Sequence, residues 1–108
     1  MDLSQGFRKL RFDSGLNQNV VAKKAKISQK YLSQIETGAK SPSLEAIGKI
    51  LKVYKVPMAT LIWSSISEMD VPPNKRESFV KLKASADPIV SELVKYLSIT
   101  SKTNTTKQ

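Results

Sequence analysis

Two short amphipathic helices are predicted within residues 18–36, QNVVAKKAKISQKYLSQIE. Asn17 and Ser28 each directly precede one of these helices, and both are residue types that cap helix N-termini. The short connection at residues 25–27 forces the helices to cross steeply, which requires a small residue where the backbones meet, and Ala22 supplies it. The side chains predicted to be buried in this unit are Val21, Ala25, Ile27, Leu32 and Ile35.

Three further short helices are predicted around this unit. The first begins near Leu3 and ends at Gly15, because glycine takes the positive φ that terminates a helix without a Cβ clash. Ser43 is the predicted N-cap of a helix over residues 44–54, and another short helix follows Pro57. The apolar stripe predicted for the Ser43-capped helix consists of Leu44, Ile47, Ile50, Leu51 and Tyr54.

The fold class predicted from these patterns is all-α, since no stretch alternates with period two for long enough to propose a strand. The five helices form a predicted domain over residues 1–69, and a Pro-containing linker follows at residues 70–75. One or two amphipathic helices are predicted over residues 76–99. Residues 100–108 contain no apolar anchor and are predicted to be a disordered polar tail.

The C-terminal segment has two possible helix starts and one apolar stripe. Asn74 with Glu77 resembles a capping box, and Asp87-Pro88 resembles an N-cap followed by the first helical residue. Three interpretations of the stripe stay open, namely packing on its own domain, docking of a different protein, and pairing with a second copy. We predict the last, as an oligomerisation surface made of Ile89, Val90, Leu93, Val94 and Leu97.

The composition excludes most small-enzyme chemistry. The 108 residues include no cysteine and no histidine, which removes disulfides, thiol nucleophiles, Ser-His-Asp triads and the commonest zinc ligands. No cluster of carboxylates and lysines resembles a catalytic pocket. We therefore predict a protein without enzymatic activity, metal or cofactor.

The charge favours a polyanion as the partner. The net charge is +9, and residues 1–66 carry +7 of it, from eleven Lys and Arg against four Asp and Glu. Nucleic acid and an acidic membrane surface both fit such an excess. The N-terminus lacks the features of a signal peptide, and no apolar run is long enough to span a bilayer. We therefore expect a cytoplasmic protein with no membrane partner.

Several short motifs follow one another in order along residues 5–63. They are Leu10-Arg11, Gly15-Leu16-Asn17-Gln18, Val21-Ala22, Ile27-Ser28, YLSQIETG at residues 31–38, Pro42-Ser43-Leu44 and Ile47. At this spacing they resemble the lambda-repressor and Cro-like (Xre) family of bacterial and phage helix-turn-helix regulators. The resemblance implies a five-helix fold whose third helix lies in the major groove of double-stranded DNA.

The resemblance also implies a role for each matching polar residue. Four residues of the third helix would read base edges, because glutamine can pair with adenine and lysine can donate to guanine: Gln29, Lys30, Ser33 and Gln34. A second set, at the start of the second helix and in the loop after the third, would bind phosphates: Asn17, Gln18, Thr37, Gly38 and Lys40. Arg11 and Glu36 match a structural pair that holds the third helix against the first.

Two positions depart from the pattern of the family. Lys26 stands where glycine is usual, so a left-handed conformation there costs about 1 kcal/mol or somewhat more. Its side chain could add a phosphate contact, and we count it among the phosphate-binding residues. Ala39 stands where a basic residue is common, and Lys40 can compensate for it.

The function predicted from the sequence is that of a sequence-specific regulator that binds double-stranded DNA. We expect a homodimeric repressor that reads the major groove with residues 28–36. The alternative is a protein-interaction module of the antitoxin type, or a restriction–modification controller, whose DNA binding is autoregulatory. A protein partner would then bind the C-terminal segment at residues 76–99.

Overall fold

The structure is a computed structural model that describes the backbone of residues 1–107 and the side chains of residues 1–97. Over residues 1–107 it contains six α-helices and no strand, so the all-α prediction is confirmed. Single turns of 3-10 helix at Glu68–Asp70 and Pro73–Lys75 precede the last α-helix. The helices are α1 (Leu3–Ser14), α2 (Gln18–Ala25), α3 (Gln29–Thr37), α4 (Leu44–Tyr54), α5 (Met58–Ser65) and α6 (Arg76–Lys107).

The helix ends lie where the capping residues predict them. The side chains of Asn17, Ser28 and Ser43 accept hydrogen bonds from the backbone N–H three residues on, at 2.9, 3.0 and 3.1 Å. Each bond satisfies one of the donors that the first turn of a helix leaves unpaired. Gly15 and Gly38 end α1 and α3 in the left-handed conformation, at φ 74° and 83°.

One apolar core joins all six helices. Its largest fully buried side chains include Phe7, Leu10, Leu32, Ile50 and Tyr54. The prediction for the stripe of α4 is wrong at one position. Leu44 is exposed because it is the first residue of α4, ahead of the turn that faces the core. The predicted buried set of the α2–α3 unit is confirmed except that Ile27 is only half-buried.

Neither of the two helix N-caps predicted after residue 70 forms, although α6 begins at Arg76, where the predicted helical segment begins. Asn74 lies inside the 3-10 turn Pro73–Lys75, whereas a capping box forms earlier, between Ser67 and Asp70. Asp87-Pro88 lies inside α6, which runs without interruption from Arg76. The Asp87 carboxylate does not cap a helix but accepts a hydrogen bond from the Trp63 indole N–H at 2.9 Å.

Contacts with α5 explain why α6 continues through Pro88. Lys83 Nζ donates to the backbone oxygen of Trp63 at 2.8 Å and lies 4.6 Å from the centroid of its ring. Val90 and Val94, beyond the proline, pack on the same core. Both halves of the helix therefore have their inward residues on one continuous face, and this tertiary packing outweighs the helix-breaking tendency of proline.

The predicted oligomerisation stripe is divided between two faces of α6. Val94 is fully buried, and Val90 and Leu97 pack against the core of their own chain. Only Ile89 and Leu93 point outward. The sequence predicts a disordered tail at residues 100–108. The side chains of these residues lie outside the described residues, whereas the described backbone of α6 extends to Lys107.

Candidate nucleic-acid interface

Helix α3 has one buried apolar face and one polar face directed outward. Leu32 and Ile35 anchor it in the core. Gln29 and Lys30 are exposed in its first turn. Farther along, Ser33 and Gln34 are half-buried. All four residues predicted to read bases therefore lie on one helix, away from its buried anchors.

The C-terminal end of α3 is fixed by a buried ion pair. Both carboxylate oxygens of Glu36 accept hydrogen bonds from Arg11 Nε, at 3.1 and 2.9 Å. The Glu36 side chain is only 2% exposed, so its charge is compensated by Arg11 rather than by water. The structure thus brings this predicted pair together, and it joins α3 to α1.

Two further residues complete this network. Gln18 Nε2 donates to Glu36 Oε1 at 3.0 Å, so the amide predicted to bind phosphate contacts the carboxylate in this structure. Arg8 donates to the backbone oxygen of Glu36, a contact that the sequence analysis missed. The available signal was its position three residues before Arg11 on α1, which places both guanidinium groups on neighbouring turns of one helix face.

Tyr54 lies beneath the ion pair. Its side chain is fully buried, and its hydroxyl oxygen has no hydrogen-bond partner among the described residues. Burial raises the pKa of the Tyr54 hydroxyl above its usual value, and the nearby charge of Glu36 adds to that effect. The hydroxyl therefore stays neutral and adds no charge near the ion pair.

The polar face of α3 carries no negative charge. Glu36 is the one acidic residue in the α3 sequence, and it is buried and paired with Arg11. Lys30 is the basic residue that remains on the exposed side. This face therefore presents amide groups, a hydroxyl and one ammonium, which are groups that can read base edges.

The α2–α3 turn has the backbone conformation predicted for it. Lys26 is left-handed, with φ 58° and ψ 43°, and its N–H closes the end of α2 on the carbonyls of Ala22 and Lys23. The Ile27 N–H also donates to the Ala22 oxygen, at 3.0 Å. The exposed Lys26 side chain thus leaves the turn beside the N-terminus of α3.

The loop after α3 is tied back to the helix. Thr37 Oγ1 donates to the Gln34 oxygen at 3.3 Å, and the Lys40 N–H donates to the same oxygen at 3.1 Å. The side chains of Thr37 and Lys40 are exposed. Tyr31 also contributes, because its hydroxyl accepts from the Ser43 N–H at 3.4 Å and so connects α3 to the start of α4.

Comparison with known proteins identifies the family. The Helix-turn-helix family HTH_3 matches residues 7–61, which include all of α2, α3 and α4. The chain belongs to this Xre, lambda-repressor-like family. As a helix-turn-helix protein of this kind, it is a transcriptional regulator that binds double-stranded DNA. The resemblance inferred from the motifs is therefore confirmed.

Two curated relatives are similar to the chain. One is the cryptic phage CTXphi transcriptional repressor RstR of Vibrio cholerae, 33% identical over 84 residues, which are 78% of this chain and 73% of the relative. The other is the HTH-type transcriptional regulator DdrOP3 of Deinococcus deserti, 36% identical over 62 residues, which are 57% of this chain and 48% of the relative. No solved structure matches the chain. Among the described residues, no helix is both long enough and apolar enough to cross a membrane.

Proposed function

We propose that this protein is a sequence-specific repressor that reads the major groove with residues 28–36 and acts as a homodimer on paired half-sites. The observation that carries the proposal is the outward face of α3. It is polar and free of carboxylates, and the Arg11–Glu36 pair holds the helix that bears it. A helix anchored in this way can enter the groove without rearranging.

Each polar residue has a role in the proposal. Four residues of α3 contact base edges: Gln29, Lys30, Ser33 and Gln34. Gln29 and Lys30 are exposed in the first turn of the helix, so they make these contacts most directly. A second set binds backbone phosphates: Asn17, Gln18, Lys26, Thr37, Gly38 and Lys40. Gln18 acts through its backbone N–H at the start of α2, because its side chain amide is bonded to Glu36.

Repression by occupancy of a promoter requires no catalysis, so the proposal includes no enzymatic activity and no cofactor. The Vibrio cholerae relative is named a repressor, which supports repression rather than activation. Two copies are proposed because helix-turn-helix domains read inverted half-sites through their own two-fold symmetry. A regulator of this kind acts in the cytoplasm, where the DNA is.

The test is a comparison of Gln29→Ala with Lys40→Ala on a selected DNA site and on a scrambled one. Gln29→Ala should cost about 1–3 kcal/mol on the selected site and relax one base position. Lys40→Ala should weaken binding to both DNAs by similar factors and reduce the salt slope by about one. Lys81→Ala removes the same charge from the exposed face of α6 and should change neither affinity.

Affinities are measured by fluorescence anisotropy at several salt concentrations. Equal losses on the two DNAs for Gln29→Ala would remove that residue from base reading. An unchanged salt slope for Lys40→Ala would remove it from the phosphate contacts. An effect of Lys81→Ala as large as that of Lys40→Ala would show that net charge alone controls the binding.

A second candidate function is that of an antitoxin-type module or restriction–modification controller whose main partner is a protein. The exposed apolar residues of α6 favour it, because they are available for protein contact. A neighbouring reading frame for a toxin, and a stable complex of its product with residues 76–99, would distinguish this function. A repressor without such a partner binds its operator with full affinity on its own.

A further inference from the structure

Helix α6 carries a second apolar stripe, offset around the helix from the face that packs on the core. The stripe consists of residues spaced by four, three, four and three positions: Leu82, Ala86, Ile89, Leu93 and Tyr96. Its four large side chains are 57%, 70%, 49% and 66% exposed in chain order. Ala86 lies between them and is half-buried. We call this set the outward stripe.

Within residues 76–97, the face of α6 that lies against its own chain has its contacts there. Lys83 and Asp87 bond to Trp63, Ser91 Oγ donates to Asp13 at 3.0 Å, and Val94 is buried in the core. These residues, spaced by four, four and three positions, form an inward face that is offset around the helix from the outward stripe. The contacts with its own chain therefore do not account for the apolar character of the outward stripe.

We infer that the outward stripe pairs with the outward stripe of a second copy, so that two α6 helices form a coiled-coil interface. The alternation of four and three is the heptad spacing that keeps one seam of a helix against a partner helix. A stripe restricted to those positions is narrower than the apolar face with which a helix lies on a membrane or covers a core. The inference gives the proposed homodimer its interface, and to that extent it rests on the proposed function.

The length of the outward stripe and the charges beside it fit the α6 helix of a second copy as the partner. From Leu82 to Tyr96 the stripe runs for about 21 Å along α6, at about 1.5 Å per residue. Glu92 and Lys95, which are exposed beside it, are 3.7 Å apart and neutralise each other within one chain. A chain with net charge +9 can therefore approach a copy of itself at this surface without strong local repulsion.

The first test places a charge in the outward stripe. Ile89→Glu and Leu93→Glu should each raise the dissociation constant of the dimer at least about tenfold, because a buried carboxylate would face the partner stripe. Lys81→Glu introduces the same group one residue before Leu82 but outside the stripe, at an exposed position, and the dimer should persist. Sedimentation equilibrium over a wide concentration range measures association without DNA, and circular dichroism checks that each variant is folded.

The second test uses the absence of cysteine from the sequence. Single cysteines at Leu82, Ile89, Leu93 and Tyr96 should form an intermolecular disulfide on mild oxidation at one or more of these positions, whereas Lys95→Cys should not. Identical positions meet all along a parallel pair and only near the crossing of an antiparallel pair, so the pattern also gives the orientation.

The outcomes separate this inference from the proposed function. A dimeric wild type that both glutamate variants leave intact overturns the interface while the dimer stands. A monomeric wild type at every concentration overturns both the interface and the proposed dimer. Loss of sequence-specific binding by Gln29→Ala, in a chain whose dimer is unchanged, tests base reading alone.

Discussion

Helices α3 and α6 both bury one face in the same core, but their outward faces differ in chemistry. The outward face of α3 bears amides, a hydroxyl and an ammonium, whereas the single carboxylate of the helix, that of Glu36, is buried and paired with Arg11. The outward face of α6 bears Leu82, Ile89, Leu93 and Tyr96. Polar groups in fixed positions suit the edges of bases, whereas an apolar seam suits another helix. The comparison thus supports the two proposals, that α3 contacts DNA and that α6 contacts a second copy.

The two helices are also held differently. A buried ion pair connects α3 to α1, and any loss of one partner leaves a charge without compensation. Helix α6 is held mainly by apolar residues such as Val94 and by the contacts around Trp63. Variants that remove one contact from each helix should therefore affect stability to different degrees.

The largest effect is expected for Glu36→Ala. Removal of the carboxylate leaves the largely buried Arg11 guanidinium with the Leu16 backbone oxygen but without its anionic partner, so the free energy of unfolding should fall by about 3 kcal/mol. The matched change in α6 is Glu77→Ala, whose side chain is 88% exposed and pairs with Lys81 at 3.6 Å. It should change stability by no more than about 0.5 kcal/mol. Chemical denaturation measures both, and equal effects would contradict the distinction between the two helices.

A change in stability of intermediate size is expected for substitutions on the two faces of α6. Val94→Ala creates a cavity in the core and should lower the free energy of unfolding by about 2 kcal/mol. Leu93→Ala removes a larger side chain from the outward stripe. It should leave the unfolding of the dilute monomer within about 0.5 kcal/mol of wild type while weakening the dimer. If Leu93→Ala destabilised the monomer more than Val94→Ala, the assignment of the two faces would be reversed.

Much of the fold follows from local chemistry. Asn17, Ser28, Ser43 and Gly15 mark helix ends in the sequence, and the structure places caps at all four. Capping depends on a side chain and the backbone within a few residues, so a pattern in the sequence is sufficient to predict it. The pairing of Arg11 with Glu36 was predicted only from the resemblance, because spacing alone does not bring two distant residues together.

The C-terminal part was harder to predict because its structure depends on tertiary contacts. Asp87-Pro88 has the local signature of a helix start, but Trp63 binds the carboxylate and the core binds Val94 on the far side of the proline. The stripe at 89–97 mixes residues of two faces, since a helix with two apolar stripes gives overlapping periodicities. Only the packing of α6 on its own chain separates them.

The smallest effect on stability is expected for substitutions of the two left-handed lysines, Lys26 in the α2–α3 turn and Lys55 after α4. Lys26 and Lys55 both adopt the left-handed conformation, at φ 58° and 57°, which glycine takes without a Cβ clash. Lys26→Gly and Lys55→Gly should each raise the free energy of unfolding by about 1 kcal/mol. Of the two, only Lys26→Gly should weaken DNA binding, because it removes a proposed phosphate contact. Thermal unfolding and anisotropy titrations measure the two effects, and equal DNA affinities for the variants would remove Lys26 from the interface.

The most direct measurement is selection from random duplex DNA by the purified full chain at near-physiological salt, followed by sequencing. The account predicts enrichment of two inverted half-sites at a fixed spacing, with one position relaxed when Gln29→Ala is used instead of the wild type. Enrichment of a single half-site would contradict the dimeric mode. No enrichment by a folded protein would contradict the central claim that α3 reads sequence.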